Sequence, residues 1–371
     1  MAQNAIRHFA TMFRGRTMTQ RTTLAAFRRS IPALALSLAL FACSDDANNG
    51  NNEKIEGNSL LLNFTSDYTT GELRWMHPDS ARLSGAIAFS QDSRVSAAKS
   101  NIFVLSNSPG VLSCILPEQI GDESAIKQVN LGDVQSPYEA TVIGSKGYIA
   151  LNDADYIQVF NVSTCTLDEK IDLPISGAGA STIKASGDTL LLTLQRLENW
   201  SATKPGLLVR IRADGSIIDT LQLKLKNPNS SLLNNGTLIV SSSNWGLGDD
   251  GIEIVDLAKG TSEILADNAK LGGGVSDIAL DEANQILYAS VYVSWGDSPV
   301  KSINLATKTV GNALPNILDA AGGLVFDKAG KKLFVGDQSG LIVYDPVANT
   351  TAAIGNQDPL LPPYSLAIVN F

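Results

Sequence analysis

An all-β chain folded as a seven-bladed β-propeller, with four antiparallel strands in each blade, is the architecture this sequence predicts. Three observations predict it. First, residues 322–354 read GGLVFDKAGKKLFVGDQSGLIVYDPVANTTAAI, four short apolar runs separated by turns rich in Gly, Asp, Asn and Pro. Runs of that length, rich in Val, Ile, Phe and Tyr and bounded by turn formers, are strand signals, so the stretch reads as a four-stranded meander. A sheet so small cannot bury both its faces alone and must stack on copies of itself. Second, the copies are present. Equivalent second-strand positions fall at Leu61, Phe103, Ala150, Leu191, Ile239, Tyr288 and Phe334, spaced by 42, 47, 41, 48, 49 and 46 residues. Repeats of that length with four strands each are a propeller signature. Third, the first repeat lacks its first strand, and Ser365–Val369, with only Asn370 and Phe371 beyond it, supplies one. A ring closed by strands from both ends of the chain leaves no open sheet edge.

Residues 1–43 stand apart from this fold. Arg7, Arg14, Arg16, Arg21, Arg28 and Arg29 precede an apolar run from Ile31 to Phe41, and no acidic residue lies among them. A basic region, an apolar run too short to span a bilayer and a small residue before a cut make a secretory signal peptide. The run ends in Leu40-Phe41-Ala42-Cys43, which resembles the bacterial lipobox. That resemblance implies a diacylated and then amino-acylated Cys43, and two or three acyl chains hold a protein stably on a membrane. Ser44 in the following position is compatible with export to the outer membrane of a Gram-negative bacterium. Residues 44–58 read SDDANNGNNEKIEGN, polar and aperiodic, and are expected to form a disordered tether to the propeller at 59–371.

Within the propeller, third-strand runs follow each second strand, at Glu72 to Trp75, Val111 to Ser113, Ile157 to Phe160, Leu207 to Ile211, Ile252 to Val255, Val300 to Leu305 and Leu341 to Tyr344. First-strand runs precede six of them, at Ala86 to Phe89, Glu139 to Ile143, Ser181 to Lys184, Ser231 to Leu233, Asp277 to Leu280 and Gly323 to Phe326. The turns after the third strands carry a motif: Ile254-Val255-Asp256-Leu257-Ala258-Lys259-Gly260-Thr261, Ile303-Asn304-Leu305-Ala306-Thr307-Lys308-Thr309-Val310 and Val343-Tyr344-Asp345-Pro346-Val347-Ala348-Asn349-Thr350, with Phe160-Asn161-Val162-Ser163-Thr164 a looser match. These segments resemble the V-x-D-x-x-T-x-x-V turn of YVTN/YncE-like seven-bladed propellers, in which Asp and Thr shape the turn. The resemblance implies the fold, and a fold does not by itself imply a function.

Composition narrows the function. Hydrophobic residues make up 44%, enough for a sizeable core, and charged residues only 18%. Loss of the six leader arginines leaves 22 basic against 37 acidic residues, a net charge of −15. No basic cluster survives, which argues against nucleic-acid binding, and the charge serves solubility. After cleavage the one histidine is His77, so a Ser-His-Asp triad or a multi-His metal site has almost no material. His77, in Trp75-Met76-His77-Pro78, is expected to be structural.

Cys114 and Cys165 lie on adjacent repeats, and in an oxidising compartment a disulfide between blades is open to them. The acidic pairs Asp153/Asp155 and Asp249/Asp250 offer loop oxygens of the kind calcium takes, but match no EF-hand spacing and suit turn formation better. No metal site is assigned.

The candidate site is aromatic. Connections between second and third strands share one end of a propeller with the connections between blades. Repeats four, five and six have long second-to-third connections with one tryptophan each, Trp200, Trp245 and Trp295, and Tyr138 and Tyr364 lie in between-blade segments at the same end. Aromatics beside Asn, Asp and Gly make a recognition surface, unless each Trp instead caps the core of its own blade. The expected protein is therefore a lipid-anchored, monomeric outer-membrane propeller that binds a small ligand or an envelope protein without chemistry; no cofactor is named. Lipobox, tether and seven repeats together resemble the BtuG-type surface lipoproteins, whose ligand is cobalamin. The alternatives are a metal-dependent lactonase or hydrolase, which needs Glu, Asn and Asp converging on the axis, and a scaffold in envelope assembly.

Overall fold

The computed structural model describes residues 59–67, 69–107, 109–132, 136–199, 201–244, 248–355, 357–358 and 360–371. The predicted signal peptide, Cys43 and the tether lie outside the described residues, as do Trp200 and Trp245. Seven four-stranded antiparallel sheets follow one another around a ring. From inner to outer strand, blade one is Pro363–Asn370, Ser59–Ser66, Gly71–Met76 and Ala86–Phe89, and blade two is Ser93–Ala98, Asn101–Ser106, Gly110–Ile115 and Lys127–Gly132. Blade three is Pro137–Ile143, Lys146–Leu151, Tyr156–Asn161 and Thr166–Asp172; blade four is Ala180–Ser186, Thr189–Leu194, Pro205–Arg212 and Ile217–Lys226. Blade five is Pro228–Asn234, Thr237–Ser242, Gly251–Asp256 and Thr261–Asp267; blade six is Gly274–Asp281, Ile286–Tyr292, Val300–Asn304 and Thr309–Ala313. Blade seven is Leu324–Asp327, Lys332–Asp337, Gly340–Asp345 and Thr350–Ala353.

Seven apolar clusters sit one between each pair of neighbouring blades, and they explain why the second strands read as unbroken apolar runs. Successive residues of a strand point to opposite faces of its sheet. Leu190, Leu192 and Leu194 therefore pack toward blade three, while Leu191 packs toward blade five. Leu60, Leu62 and Phe64 likewise join blade two, and Leu61 joins blade seven. A strand with a blade on each side has no solvent face, so it has no polar positions to alternate.

The C-terminal strand closes the ring as the sequence predicts. It pairs antiparallel with the first strand after the tether, Leu61 opposite Ile368 and Phe64 opposite Ser365. Inner strands of successive blades lie side by side all the way round, blade seven against blade one included. One strand assignment needs correcting. Ala86–Phe89 is not the first strand of blade two but the outer strand of blade one, with Gly71 opposite Phe89 and Arg74 opposite Ala86. The inner strand of blade two is Ser93–Ala98, SRVSAA, with Val95 opposite Val104. Its alternation of polar and small residues hides it among turn-like neighbours, whereas AIAF carries the stronger apolar signal.

The turn motif is an Asx turn in each case. Asp256 Oδ1 accepts from the backbone N–H of Ala258 and Lys259, Asp345 Oδ1 from Val347 and Ala348, Asn161 Oδ1 from Ser163 and Thr164, and Asn304 Oδ1 from Thr307. Four residues after each of these acceptors the backbone turns left-handed, at Gly260 (φ 64°), Asn349 (φ 53°), Cys165 (φ 55°) and Lys308 (φ 55°). Cys165 thus sits at a fixed point of the blade-three turn. Its Sγ is joined to Cys114 of the blade-two third strand, with Cα atoms 6.0 Å apart, beside the Phe103–Phe160 edge contact at 5.3 Å.

Candidate ligand site at the mouth of the axial channel

One end of the ring gathers the between-blade connections and the second-to-third connections, and side chains staple the two sets together. Asn107 donates its backbone N–H to the Asp92 carbonyl and its Nδ2–H to Asp92 Oδ2, both at 2.9 Å. Ser136 N–H donates to Asp153 Oδ1, and Ala178 N–H and Ser176 Oγ–H donate to Asp155. Asp250 accepts from Asn244 N–H and Asn268 Nδ2–H, and Asp249 pairs with Lys226 at 2.8 Å. The acidic pairs are therefore loop fasteners. His77 has a similar local task, its Nδ1 accepting from Asp79 N–H at 3.2 Å.

The wall of the axial channel consists of the seven inner strands, and most of its polar side chains stitch one blade to the next. Ser365 Oγ accepts from Val95 N–H, and Ser96 Oγ accepts from Ala140 N–H. Glu139 of blade three accepts from Ile183 N–H and pairs with Lys184 of blade four. The Thr182 and Ser231 hydroxyls meet at 2.7 Å. Asp277 of blade six accepts from Ser230 Oγ–H of blade five at 2.6 Å and from Leu324 N–H of blade seven at 2.7 Å. Burial pushes the Asp277 carboxyl up, more than these hydrogen bonds pull it down.

Arg94 is the exception. It stands near the start of the blade-two inner strand, with its guanidinium carbon 4.4 Å from the ring centroid of Tyr138 and 5.8 Å from that of Tyr364. Those rings come from the starts of the inner strands of blades three and one. Tyr364 donates its hydroxyl to Asp92 Oδ1 at 2.9 Å, which fixes its ring, and burial pushes its pKa up to about 12. Burial works against the Arg94 charge, but Tyr364, Tyr138, Asp92 and Asp277 outweigh it and hold the guanidinium more firmly protonated than usual. Among the described residues no side chain accepts a hydrogen bond from Arg94, and its Nε is buried without a partner.

The structure thus brings two of the five aromatic candidates together, at the channel mouth rather than on an outer rim. Trp295 lies on the second-to-third connection of blade six, 73% exposed, at the tip of a tight turn in which Asp297 N–H donates to the Ser294 carbonyl. Exposed Leu318 occupies the neighbouring between-blade connection, its carbonyl accepting from Ser298 N–H. Arg94 is the residue that sequence reasoning missed. The available signal was an arginine inside an alternating SRVSAA run, visible once that run is read as an inner strand.

Glu139, Asn229 and Asp277 do supply inner-strand residues of the types a lactonase-like centre needs, but their polar atoms are committed. Glu139 is held by Lys184, Asp277 by three donors, and Asn229 donates to the Ser276 carbonyl while accepting from Ser241. Among the described residues no three acidic, His or Cys side chains gather as a metal site. Elsewhere, a depression of about 60 Å³ lies between the outer parts of blades four and five, lined by Leu208, Leu221 and Val255 and flanked by the Arg210–Asp219 ion pair. It is well below the ~300 Å³ of a small-molecule pocket.

Fold and mouth together define a seven-bladed β-propeller with a charged axial channel. No protein-family model matches the chain, and no curated protein matches it. Among solved structures it is similar to a candidate 6-phosphogluconolactonase from Bacteroides uniformis, with 13% identity and a TM-score of 0.62 over 85% of this chain and 100% of that one. It is also similar to hydrazine synthase from Kuenenia stuttgartiensis, with 13% identity and a TM-score of 0.58 over 77% and 92% of the two chains. AztD from Citrobacter koseri is a third, with 12% identity and a TM-score of 0.55 over 84% and 98%. At such identities the likeness establishes the propeller fold and nothing finer.

Proposed function

We propose that this chain is a lipid-anchored binding propeller of the outer membrane, monomeric and without catalytic chemistry of its own, which captures a small ligand at the mouth of its axial channel. The observation that carries the reading is the Arg94 cluster: a charged side chain, flanked by Tyr138 and Tyr364 of the two neighbouring blades, whose N–H groups are not spent on hydrogen bonds between blades. A charged group framed by aromatics is the kind of polar anchor a recognition site uses to orient its ligand. Exposed Trp295, on the second-to-third connection of blade six, adds a contact surface at the same end. A lactonase reading finds less support, because the inner-strand carboxylates are tied to neighbouring blades. Corrinoids are one ligand class among several, resting on the resemblance to BtuG-type lipoproteins; an envelope protein seated on the tryptophan end is the second occupant.

Membrane attachment rests on Cys43. The intact chain is expected to sediment with outer membranes and Cys43→Ala to be released; equal sedimentation of both would remove the anchor. Ligand capture is tested by intrinsic fluorescence of purified residues 44–371 titrated with corrinoids, haem, oligosaccharides and calcium. Saturable quenching, lost when Trp200, Trp245 and Trp295 are all replaced by phenylalanine, is the expected result. A folded protein silent to the whole panel would oppose ligand capture and favour a protein partner.

A further inference from the structure

We propose that the channel mouth recognises an oxyanion, a carboxylate or phosphate group carried by a small ligand, through the N–H edge of Arg94; this inference rests on the ligand-capture reading above and adds the chemistry of the ligand. A guanidinium is planar, with its donors in the plane and its two faces suited to aromatic rings. Tyr138 packs at 4.4 Å and Tyr364 at 5.8 Å from its carbon, so contact with the rings leaves the edge to find acceptors. The edge is the part of arginine that pairs with carboxylate and phosphate, frequently through two parallel hydrogen bonds.

The surroundings explain why the edge is still open. Asp92 would be a natural partner, but Oδ1 accepts from the Tyr364 hydroxyl and Oδ2 from Asn107. Asp277 is occupied by Ser230, Ile278 and Leu324. Glu139 is occupied by Lys184 and Ile183. Asp92 and Asp277, the carboxylates nearest to the Arg94 charge, are thus held by other donors and neither is hydrogen-bonded to Arg94, while the tyrosines hold the guanidinium in place. Burying an N–H such as that of Arg94 Nε without a hydrogen bond is costly, and the cost falls when an acceptor arrives. Blade four offers the contrast: Lys184, the other cation on the described inner strands, has its carboxylate partner in Glu139.

Calorimetric titration of residues 44–371 with benzoate, citrate, inorganic phosphate and the neutral isostere benzamide tests the inference. At least one oxyanion is expected to bind saturably and benzamide not to bind; the carboxylates and inorganic phosphate form separate arms that distinguish the two sources. Arg94→Gln, folded by circular dichroism, is expected to weaken the oxyanion about ten- to a hundredfold, the worth of one or two charge-assisted hydrogen bonds. Arg94→Lys, which keeps the charge but not the planar fork, is expected to weaken it as well, and it decides the matter if the glutamine variant fails to fold. Wild-type affinity in the folded substituted protein would overturn the inference, as would the absence of binding by every oxyanion. If that absence accompanies saturable fluorescence quenching by a neutral oligosaccharide, ligand capture stands and the role of Arg94 falls. If nothing binds in either experiment, both fall.

Discussion

A chain ending at Tyr364 is expected to lose cooperative folding altogether. Removing residues 365–371 takes away most of the inner strand of blade one and strips Ser59–Ser66 of its ladder from Asn370 to Ser365. Leu366 and Ile368 leave the cluster shared by blades seven and one, and Val369 leaves the cluster shared by blades one and two. The ring then opens, and it exposes a long apolar strand edge of the kind that drives aggregation. Because each blade buries its faces only against its neighbours, the damage is not confined to blade one. Thermal unfolding followed by circular dichroism checks this, and a truncated protein that melts cooperatively at the wild-type temperature would contradict the closure.

Replacing Cys114 and Cys165 by serine is expected to lower the free energy of unfolding by about 4 kcal/mol. The two residues are separated by 51 positions, and tying a loop of that length restricts the unfolded chain by about that amount. The bond staples the blade-two third strand to the blade-three turn, across a cluster that holds Phe103, Phe160 and Leu112. Urea denaturation of the oxidised protein and the double variant measures the difference. The variant is also expected to show a larger dependence on urea, since its unfolded chain is less compact. Equal stabilities would mean that the interface is as well held without the bond.

What the sequence revealed and concealed follows from where each residue faces. Second strands such as Thr189–Leu194 are buried on both sides, so they appear as apolar runs and mark the repeat. The Asx turns repeat because a left-handed residue four positions after Asp or Asn is needed to reverse the chain at each outer hairpin. The closing strand was visible because a propeller with a missing inner strand must find one. The inner strands have a neighbouring blade on each face and turn their free edge to the crowded axis, where small and polar side chains bridge the blades and the apolar criterion weakens. Ser93–Ala98 escaped for that reason, and Arg94 with it. Tyr138 and Tyr364 were visible as between-blade aromatics, yet only the ring geometry brings them to one guanidinium.

Hydrogen–deuterium exchange on residues 44–371, with and without a saturating ligand from the fluorescence or calorimetric panels, tests most directly whether the channel mouth is the binding site. Slower exchange at the starts of the inner strands, over residues 91–95, 137–140 and 363–366, is the expected result. Protection confined to the opposite end, over turns such as 161–166 and 256–261, would contradict it.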